Sequence, residues 1–184
     1  MNLISGNTED FKASGAFEQM GNYRRQVFIE RLGWQLKSFD GLELDQFDRQ
    51  DTLYVIARDE GNAITGCARL LPTTTPYLLG EVFPQLFNGL PPPCSPDVWE
   101  LSRFAAVDLN ASHSTGLEQF SASVAANLLR ESIDCAKRHG AKRIVSVSPV
   151  GVERLIRKIG FHAHRAGPPM VVGGHPIFAC WIDC

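Results

Sequence analysis

The order of predicted helices and strands indicates an α/β or α+β protein. Three observations support this fold class. An early segment has helical periodicity, two β-branched runs with a turn sequence between them follow it, and strand and helix patterns alternate through the second half of the chain.

The first half of the chain predicts one helix and one hairpin. Apolar residues recur at three- and four-residue spacing over residues 16–32, and Gly33 is a suitable helix end. Residues 34–50 have few helix or strand signals and are rich in acidic side chains, which is typical of a loop. Strands are predicted over 52–58 and 63–71, joined by the turn sequence Asp-Glu-Gly-Asn.

The second half predicts a strand, a long helix, a strand, a shorter helix and two further strands. Their predicted bounds are 99–107, 117–139, 142–148, 150–159, a strand from residue 160, and 177–183. This layout resembles the N-acetyltransferase-like fold, which implies a mixed, mostly antiparallel sheet flanked by helices. One stretch departs from that fold's coenzyme A users, because residues 108–116 contain one glycine and no Arg or Lys to cradle a pyrophosphate.

Length and composition predict a single globular domain over residues 1–184. Apolar residues make up 44% and charged residues 21% of the chain. No apolar run is long enough to cross a bilayer, and residues 1–10 do not have the pattern of a secretory signal. The five cysteines are scattered, which favours free thiols in a reducing cytoplasm and argues against a disulfide framework or a zinc site.

Charge is distributed unevenly along the chain. Residues 1–129 carry 9 basic and 16 acidic side chains, whereas residues 130–184 carry 9 basic and 4 acidic ones. A basic C-terminal part indicates either a face that receives an acidic partner or simply a solvated basic helix.

Several side chains have the chemistry of a binding site. Arg24 and Phe28 share one helical face, which suits a ligand with an anionic group and a flat ring, or equally a surface Arg above a core Phe. Asp45 and Asp48 lie in the acidic loop and are suited to a cationic ligand or to arginine partners. Arg69 lies within an apolar strand, where burial would require a carboxylate partner.

The segment 99–104 concentrates the most chemistry. Glu100 and Arg103 are three residues apart in a predicted strand, so regular pleating would direct them to opposite faces. We therefore predict a β-bulge near Leu101–Ser102 that brings both side chains to one side.

Taken together, these residues match a known family. Arg24, Phe28, Trp34, Asp45, Asp48, Arg69, Glu100 and Arg103 agree in identity and order with the motif of LuxI-type acyl-homoserine-lactone synthases. The resemblance covers nearly the whole chain and includes the strings YRRQVFIERLGW, DQFDRQDTLYVIAR and VWELSRFA.

This resemblance implies an acyltransferase that makes a quorum-sensing signal. The acyl chain would come from the phosphopantetheine arm of acyl carrier protein and pass to the amino group of S-adenosylmethionine. Lactone formation would then release methylthioadenosine. S-adenosylmethionine is a substrate here, and we expect no cofactor, no metal, no nucleic acid and no membrane insertion.

The resemblance also implies residue roles. Glu100 is expected to act as general base, with Arg103 touching the reactants. S-adenosylmethionine would be bound by Arg24, Phe28, Trp34, Asp45, Asp48, Arg69 and Arg103. Ser146 and Ser148 are candidates for the acyl-chain pocket. Arg154, Arg157 and Lys158 share a helical face and are candidates for docking acyl carrier protein.

Two other functions are compatible with parts of the sequence. A coenzyme A-dependent N-acetyltransferase would share the fold and Glu100 but would not explain Trp34 or the acidic loop. A non-catalytic module that binds acyl chains or adenosylated metabolites would need no base. Release of methylthioadenosine distinguishes lactone synthesis from both.

Overall fold

The computed structural model describes residues 1–110, 122–150 and 152–184. The strands within these ranges are β1 Asn2–Asn7, β2 Leu53–Arg58, β3 Ile64–Pro72, β4 Val98–Ala105, β5 Arg143–Pro149, β6 Ala163–Arg165, β7 Met170–Val172 and β8 His175–Asp183. The α-helices are α1 Thr8–Ala13, α2 Ala16–Arg24, α3 Leu78–Val82, α4 Ala122–Arg138 and α5 Val152–Lys158. A π-helical segment covers Arg25–Arg31, and a 3-10 turn covers Pro84–Phe87.

The strands form one mixed sheet with the order β1-β2-β3-β4-β5-β8-β6, and β7 pairs with β8 outside this path. The pairing of β4 with β5 is parallel, whereas β1 with β2 and β8 with β5, β6 and β7 are antiparallel. The predicted mixed, mostly antiparallel sheet with flanking helices is therefore confirmed.

The predicted hairpin forms β2 and β3. Asn62 adopts a left-handed backbone with φ 69°, and the amide of Asp59 donates to the carbonyl of Ala63 at 3.0 Å. The predicted helix 16–32 divides into α2 and the π-helical segment. The first five residues of the predicted helix 117–139 lie outside the described residues, and the remainder forms α4.

Strand β1, helix α1, strand β7, helix α3 and the 3-10 turn were absent from the sequence prediction. Strand β1 is a partly exposed edge strand that is held by backbone pairing with β2, so its side chains show no apolar alternation. Helix α1 depends on a capping box in which Asn7 and Asp10 each accept from the other's backbone amide. Strand β7 has three residues and comes directly after Pro168-Pro169, where no strand was predicted.

Two compact units can be distinguished. The first comprises Met1–Arg69 and Arg103–Ser132, and the second comprises Leu70–Ser102 and Ile133–Cys184. A single domain over 1–184 stays a prediction.

The first unit has an aromatic core. Buried side chains of α1, α2 and the π-helical segment pack against β2 and neighbouring strand residues; they include Phe11, Phe17, Met20, Tyr23, Val27, Phe28, Tyr54 and Ile56. The Tyr23 hydroxyl donates to the carbonyl of Val107 at 2.9 Å and accepts from the amide of Val107 at 3.0 Å. This side chain therefore satisfies both backbone groups of Val107.

In the second unit, β5 lies between two neighbouring strands. Its parallel partner β4 is in register from Val98 opposite Arg143 to Leu101 opposite Ser146, and its antiparallel partner β8 continues to the pair Pro149 and Ile177. Buried Ile144, Val145, Phe178 and Cys180 form part of this unit's core. Among the described residues, no helix combines the length and apolar character that a bilayer crossing requires.

Candidate functional site

The end of the π-helical segment places one aromatic ring on another. The amide of Trp34 donates to the carbonyl of Phe28 at 2.9 Å, and Gly33 is left-handed with φ 67°. A left-handed glycine just past the last helical turn is a common way for a helix to end, and an apolar contact across that end often accompanies it. The rings of Phe28 and Trp34 stack with centroids 5.0 Å apart and planes inclined by 21°. Phe28 is buried, and Trp34 is half-buried.

Arg24 is the centre of a buried ionic cluster in the first unit. Its guanidinium is 1% exposed and donates from Nε to Glu43 Oε2 at 2.6 Å. Its two terminal nitrogens donate to the two oxygens of Asp48, at 2.7 and 3.1 Å. Burial alone would lower the pKa of Arg24, but the charges of Asp48 and Glu43 raise it well above its usual value. Arg24 is therefore a fixed internal cation.

Asp48 accepts hydrogen bonds from three different residues. Besides Arg24, it accepts from the Tyr54 hydroxyl at 3.0 Å and from the Asp45 amide at 2.8 Å. A nitrogen of Arg69 lies 3.3 Å from Oδ2. Burial would raise the pKa of Asp48, but the charges of Arg24 and Arg69 hold it well below its usual range. The carboxylate stays ionised throughout the physiological pH range.

Arg69 is fully buried within β3 and has the carboxylate partners that the sequence required. Its Nη1 donates to Asp45 Oδ1 at 2.6 Å, and its guanidinium lies 5.7 Å from the ring centroid of Phe47. Burial alone would lower the pKa of Arg69, but the charge of Asp48 outweighs this effect and raises the pKa above its usual value. Arg69 thus holds the acidic loop onto β3.

Arg103 joins the same cluster from β4. It donates from Nε and Nη2 to Glu43 at 3.0–3.2 Å and from Nη2 to Asp45 Oδ2 at 2.8 Å. Its guanidinium also lies 5.9 Å from the ring centroid of Phe28. The two carboxylates of the loop therefore fix the orientation of this side chain.

Strand β4 has an irregular backbone next to the predicted bulge. Pairing with β5 is regular from Val98 to Leu101, and the bulge near Leu101–Ser102 stays a prediction. The backbone becomes left-handed at Arg103, with φ 50°, which is uncommon for a residue with a side chain. Such positions cost of order 1–3 kcal/mol and persist where surrounding contacts determine them. The ion pairs of Arg103 are contacts of that kind.

The cluster contains three guanidinium groups and three carboxylates, so its charges balance. The contributing residues are Arg24, Arg69, Arg103, Glu43, Asp45 and Asp48. Glu43 was not among the predicted site residues, although it is 1% exposed and bridges two arginines. The sequence feature that could have indicated it is its place two residues before Asp45 in the acidic loop. Tyr54 was also missed, because no local sequence pattern signals the contact between its hydroxyl and Asp48.

Glu100 lies in the second unit, in β4, and is completely buried. Its carboxylate accepts from the amide of Leu79 at 2.5 Å and from the amide of Leu78 at 3.1 Å. These are the first two amides of α3, which has no cap from its own preceding residue. Glu100 thus stabilises the start of α3 by satisfying amides that the helix leaves unpaired.

The two candidate acyl-pocket residues lie on one face of β5. Ser146 and Ser148 are each 5% exposed, and their hydroxyl oxygens are 3.4 Å apart. They are therefore buried polar groups within the core side of the second unit.

The three basic candidates on α5 differ in their contacts. Arg157 donates to Glu153 at 2.6 Å and to the carbonyl of Ala163 at 2.9 and 3.0 Å, so it joins α5 to β6. Arg154 and Lys158 are exposed and form no ion pair within the described part of the chain. Arg154 and Lys158 thus differ from Arg157, whose guanidinium is already engaged by Glu153 and Ala163.

Comparisons with known proteins give a consistent assignment. The autoinducer synthase family model matches residues 9–184. The acyl-homoserine-lactone synthase of Acinetobacter nosocomialis is 53% identical over 183 residues, covering 100% of each chain. The structure of TofI in a ternary complex with an inhibitor and MTA is 45% identical, with a TM-score of 0.85, and covers 100% of this chain and 91% of TofI.

Two further structures place the family within a wider fold. BjaI, a CoA-dependent acyl-homoserine lactone synthase with bound SAM and isopentyl-CoA, is 25% identical with a TM-score of 0.82 and coverage of 98% and 82%. An acyl-CoA N-acyltransferase from Pseudomonas aeruginosa is 14% identical with a TM-score of 0.59 and coverage of 100% and 99%, which shows a shared fold alone. The predicted N-acetyltransferase-like fold is confirmed.

The resemblance inferred from the motif residues is likewise confirmed, since the match extends over the whole chain. The protein belongs to the autoinducer synthase family and is an acyltransferase that makes acyl-homoserine-lactone quorum-sensing signals.

Proposed function

We propose that this enzyme transfers an acyl chain from acyl carrier protein to the amino group of S-adenosylmethionine and then closes the lactone, releasing methylthioadenosine. The observation that supports this proposal most strongly is the buried cluster in the first unit. Residues separated by as many as 79 positions, from Arg24 to Arg103, meet there through short ion pairs. This is the residue set whose motif indicates use of S-adenosylmethionine.

The cluster's contribution to substrate binding is the ordered loop that it produces. Because its three cations and three anions already neutralise one another, the cluster supplies little net charge for attracting a ligand. It instead fixes the loop and the Phe28–Trp34 stack, which provide aromatic surface and backbone groups for the adenosine and methionine parts. Arg103, which is 8% exposed, is the arginine of the cluster with the most surface left for a substrate carboxylate.

The first chemical step requires a neutral amine, because an ammonium group has no electron pair for attack. Glu100 would accept the proton, directly or through a water molecule. The amides of Leu78 and Leu79 hold this carboxylate in place in β4. The amine nitrogen then bonds to the thioester carbon and the carbon–sulfur bond breaks. The nitrogen loses its second proton, and the leaving thiolate takes up a proton to depart as the carrier thiol.

The second step is intramolecular. A carboxylate oxygen of the methionine part attacks its own γ-carbon, and the bond to the sulfonium sulfur breaks. Sulfur takes the bonding electrons and leaves as neutral methylthioadenosine, so no further acid or base is required. The enzyme's task in this step is to hold the chain in a near-attack conformation.

The acyl chain is assigned to the second unit. Ser146 and Ser148 offer hydroxyl groups on an otherwise apolar strand face, which suits a chain with one polar substituent. For the donor protein we propose acidic acyl carrier protein. The exposed cations Arg154 and Lys158 support this choice, and Arg157 adds charge while holding α5 to β6.

The sequence also favours a cytoplasmic location, because the cysteines are free thiols.

The test is a product analysis with the purified chain. S-adenosylmethionine is incubated with acyl chains on carrier protein and, separately, on coenzyme A, and products are identified by mass spectrometry. Equimolar acyl-homoserine lactone and methylthioadenosine from the carrier-protein donor would support the proposal. Turnover with coenzyme A alone would overturn the donor assignment, and an acylated amine without methylthioadenosine would overturn the second step.

A further inference from the structure

The β7–β8 hairpin is an exposed, uncharged part of the second unit. Residues 166–182 contain no Asp, Glu, Lys or Arg. Val171 is 74% exposed and Met170 is 39% exposed. Apolar side chains that are exposed without charged neighbours in the sequence can mark an interaction site. Val150, which precedes α5, is 49% exposed and donates its amide to the carbonyl of Pro176 at 3.2 Å. The apolar surface therefore includes the start of the α5 segment.

The hairpin has a fixed shape. Val172 pairs with His175 across a two-residue turn, Gly173-Gly174, and both glycines have positive φ, 58° and 82°. Two positive values are required in the type I′ turns that match the twist of a hairpin. Val171 is thus presented on an ordered two-stranded element.

The hairpin also lies beside the end of β5. Ile177 is opposite both Met170 in β7 and Pro149 in β5, and the next pair along β5 joins Ser148 to Phe178. The exposed apolar surface is therefore adjacent to the strand end that carries one of the two buried serines assigned to the acyl chain.

The helix that follows Val150 carries exposed positive charge. Glu153 is the acidic residue of α5, and both of its oxygens accept from arginines: Arg157 at 2.6 Å and Arg165 at 2.8 Å. Arg154 and Lys158 therefore stand as exposed cations without a counter-charge among the described residues.

We propose that the β7–β8 hairpin, with Val150, is the apolar half of the surface that docks acyl carrier protein, and that Arg154 and Lys158 are its basic half. This inference rests on the proposed function. A small acidic protein with an apolar face complements both halves, and docking beside the end of β5 brings the carried chain to Ser148. An anionic membrane would also match a basic and apolar surface. Membrane binding, however, would give no reason for this surface to lie beside the end of β5.

The experiment separates protein docking from acyl transfer. Steady-state kcat and KM are measured with one acyl chain on acyl carrier protein and with the same chain on phosphopantetheine alone. The variants are Val171→Asp for the apolar half and Arg154→Glu for the basic half. Their controls are Leu90→Asp, at an apolar residue 67% exposed outside the hairpin, and Lys12→Glu, at an exposed cation of the first unit.

Each docking variant should raise KM for the carrier-protein donor on the order of tenfold, while KM for the truncated donor changes less than about twofold. The two controls should leave both values within about twofold, and circular dichroism should show unchanged folding. Equal effects of Val171→Asp and Leu90→Asp on the carrier-protein KM would overturn the proposal, as would equal effects on both donors.

The proposed function fails in a different way. If the wild-type enzyme turns over the truncated donor but never the carrier-protein donor, the donor assignment is wrong, whatever the variants do. Sedimentation with anionic phosphatidylglycerol vesicles completes the test. Vesicle binding that Val171→Asp abolishes, with an unchanged carrier-protein KM, would show that the surface binds membranes instead.

Discussion

Replacing Asp48 by Asn tests whether the buried cluster is an integral part of the fold. Asp48 is 2% exposed and accepts from Arg24, Tyr54 and the Asp45 amide. Asparagine has nearly the same shape but no charge, so the substitution leaves three buried guanidinium groups facing two carboxylates. The side-chain volume hardly changes, so the substitution acts through the lost charge.

The expected loss can be bounded from the contacts. Breaking a buried ion pair by removing one partner costs about 3–5 kcal/mol. Arg24 keeps Glu43 and Arg69 keeps Asp45, so neither cation loses every partner. We therefore expect a value at the lower end, about 3 kcal/mol, in the free energy of unfolding at pH 7. The matched control is Asp51→Asn, because Asp51 pairs with Arg49 at the surface and such pairs contribute about 0–1 kcal/mol.

The effect should also depend on pH with a defined sign. The pKa of Asp48 is lowered in the folded state, so its ionisation stabilises the fold above the unfolded-state pKa of about 3.9. That contribution is lost as pH falls below this value towards the lower folded-state pKa. The difference between wild type and Asp48→Asn should therefore be constant between pH 5 and pH 7 and should shrink below about pH 4.

Urea unfolding followed by circular dichroism measures these quantities, with both variants compared at each pH. If Asp48→Asn destabilises the protein no more than Asp51→Asn at pH 7, the buried cluster contributes no stability and the reasoning is refuted. A difference that grows as the pH falls below 4 would refute the assigned direction of the pKa shift.

Three further predictions test separate parts of the structure. Glu100→Gln should retain the fold and slow acylation strongly, because an amide cannot accept the amine proton; near-normal single-turnover acylation would remove Glu100 as the base. Gly21→Ala should lower the free energy of unfolding despite alanine's helix propensity, since its Cβ would lie 3.1 Å from Leu42 Cβ; a more stable variant in urea would contradict this. Burial raises the pKa of Cys67 to about 12, so maleimide at pH 7.5 should label exposed Cys94 first, and mass spectrometry would expose the reverse order.

The fold was predictable where it depends on local signals. The turn sequence at residues 59–62 specified a hairpin, and apolar periodicity specified α2, α4 and α5. The π-helical segment was not predictable, because its side chains follow the same periodicity as an α-helix and only the backbone bonding differs. Strand β1 depends on pairing with the distant strand β2, which a local pattern does not contain, whereas β7 is a strand of three residues that follows two prolines.

The site was predictable as a set of residues, although their contacts were not. A buried arginine within an apolar strand requires carboxylate partners, and the sequence correctly indicated Asp45 or Asp48 as those of Arg69. It did not distinguish Glu43 from its acidic neighbours, because burial and not charge makes Glu43 different. The backbone of Arg103 was equally hidden, since a left-handed arginine has no sequence signature.

The contacts around Arg103 also connect fold and function. A residue with positive φ requires surroundings that make this conformation better than the alternatives. Glu43 and Asp45 provide them through four hydrogen bonds to the guanidinium. The same carboxylates bind Arg24 and Arg69, so the acidic loop, the start of the π-helical segment and the strands are fixed together. A charge-balanced cluster of this kind can order the acidic loop without leaving uncompensated charge there, which suits the proposed binding of a substrate that itself carries both a cationic sulfonium and a carboxylate.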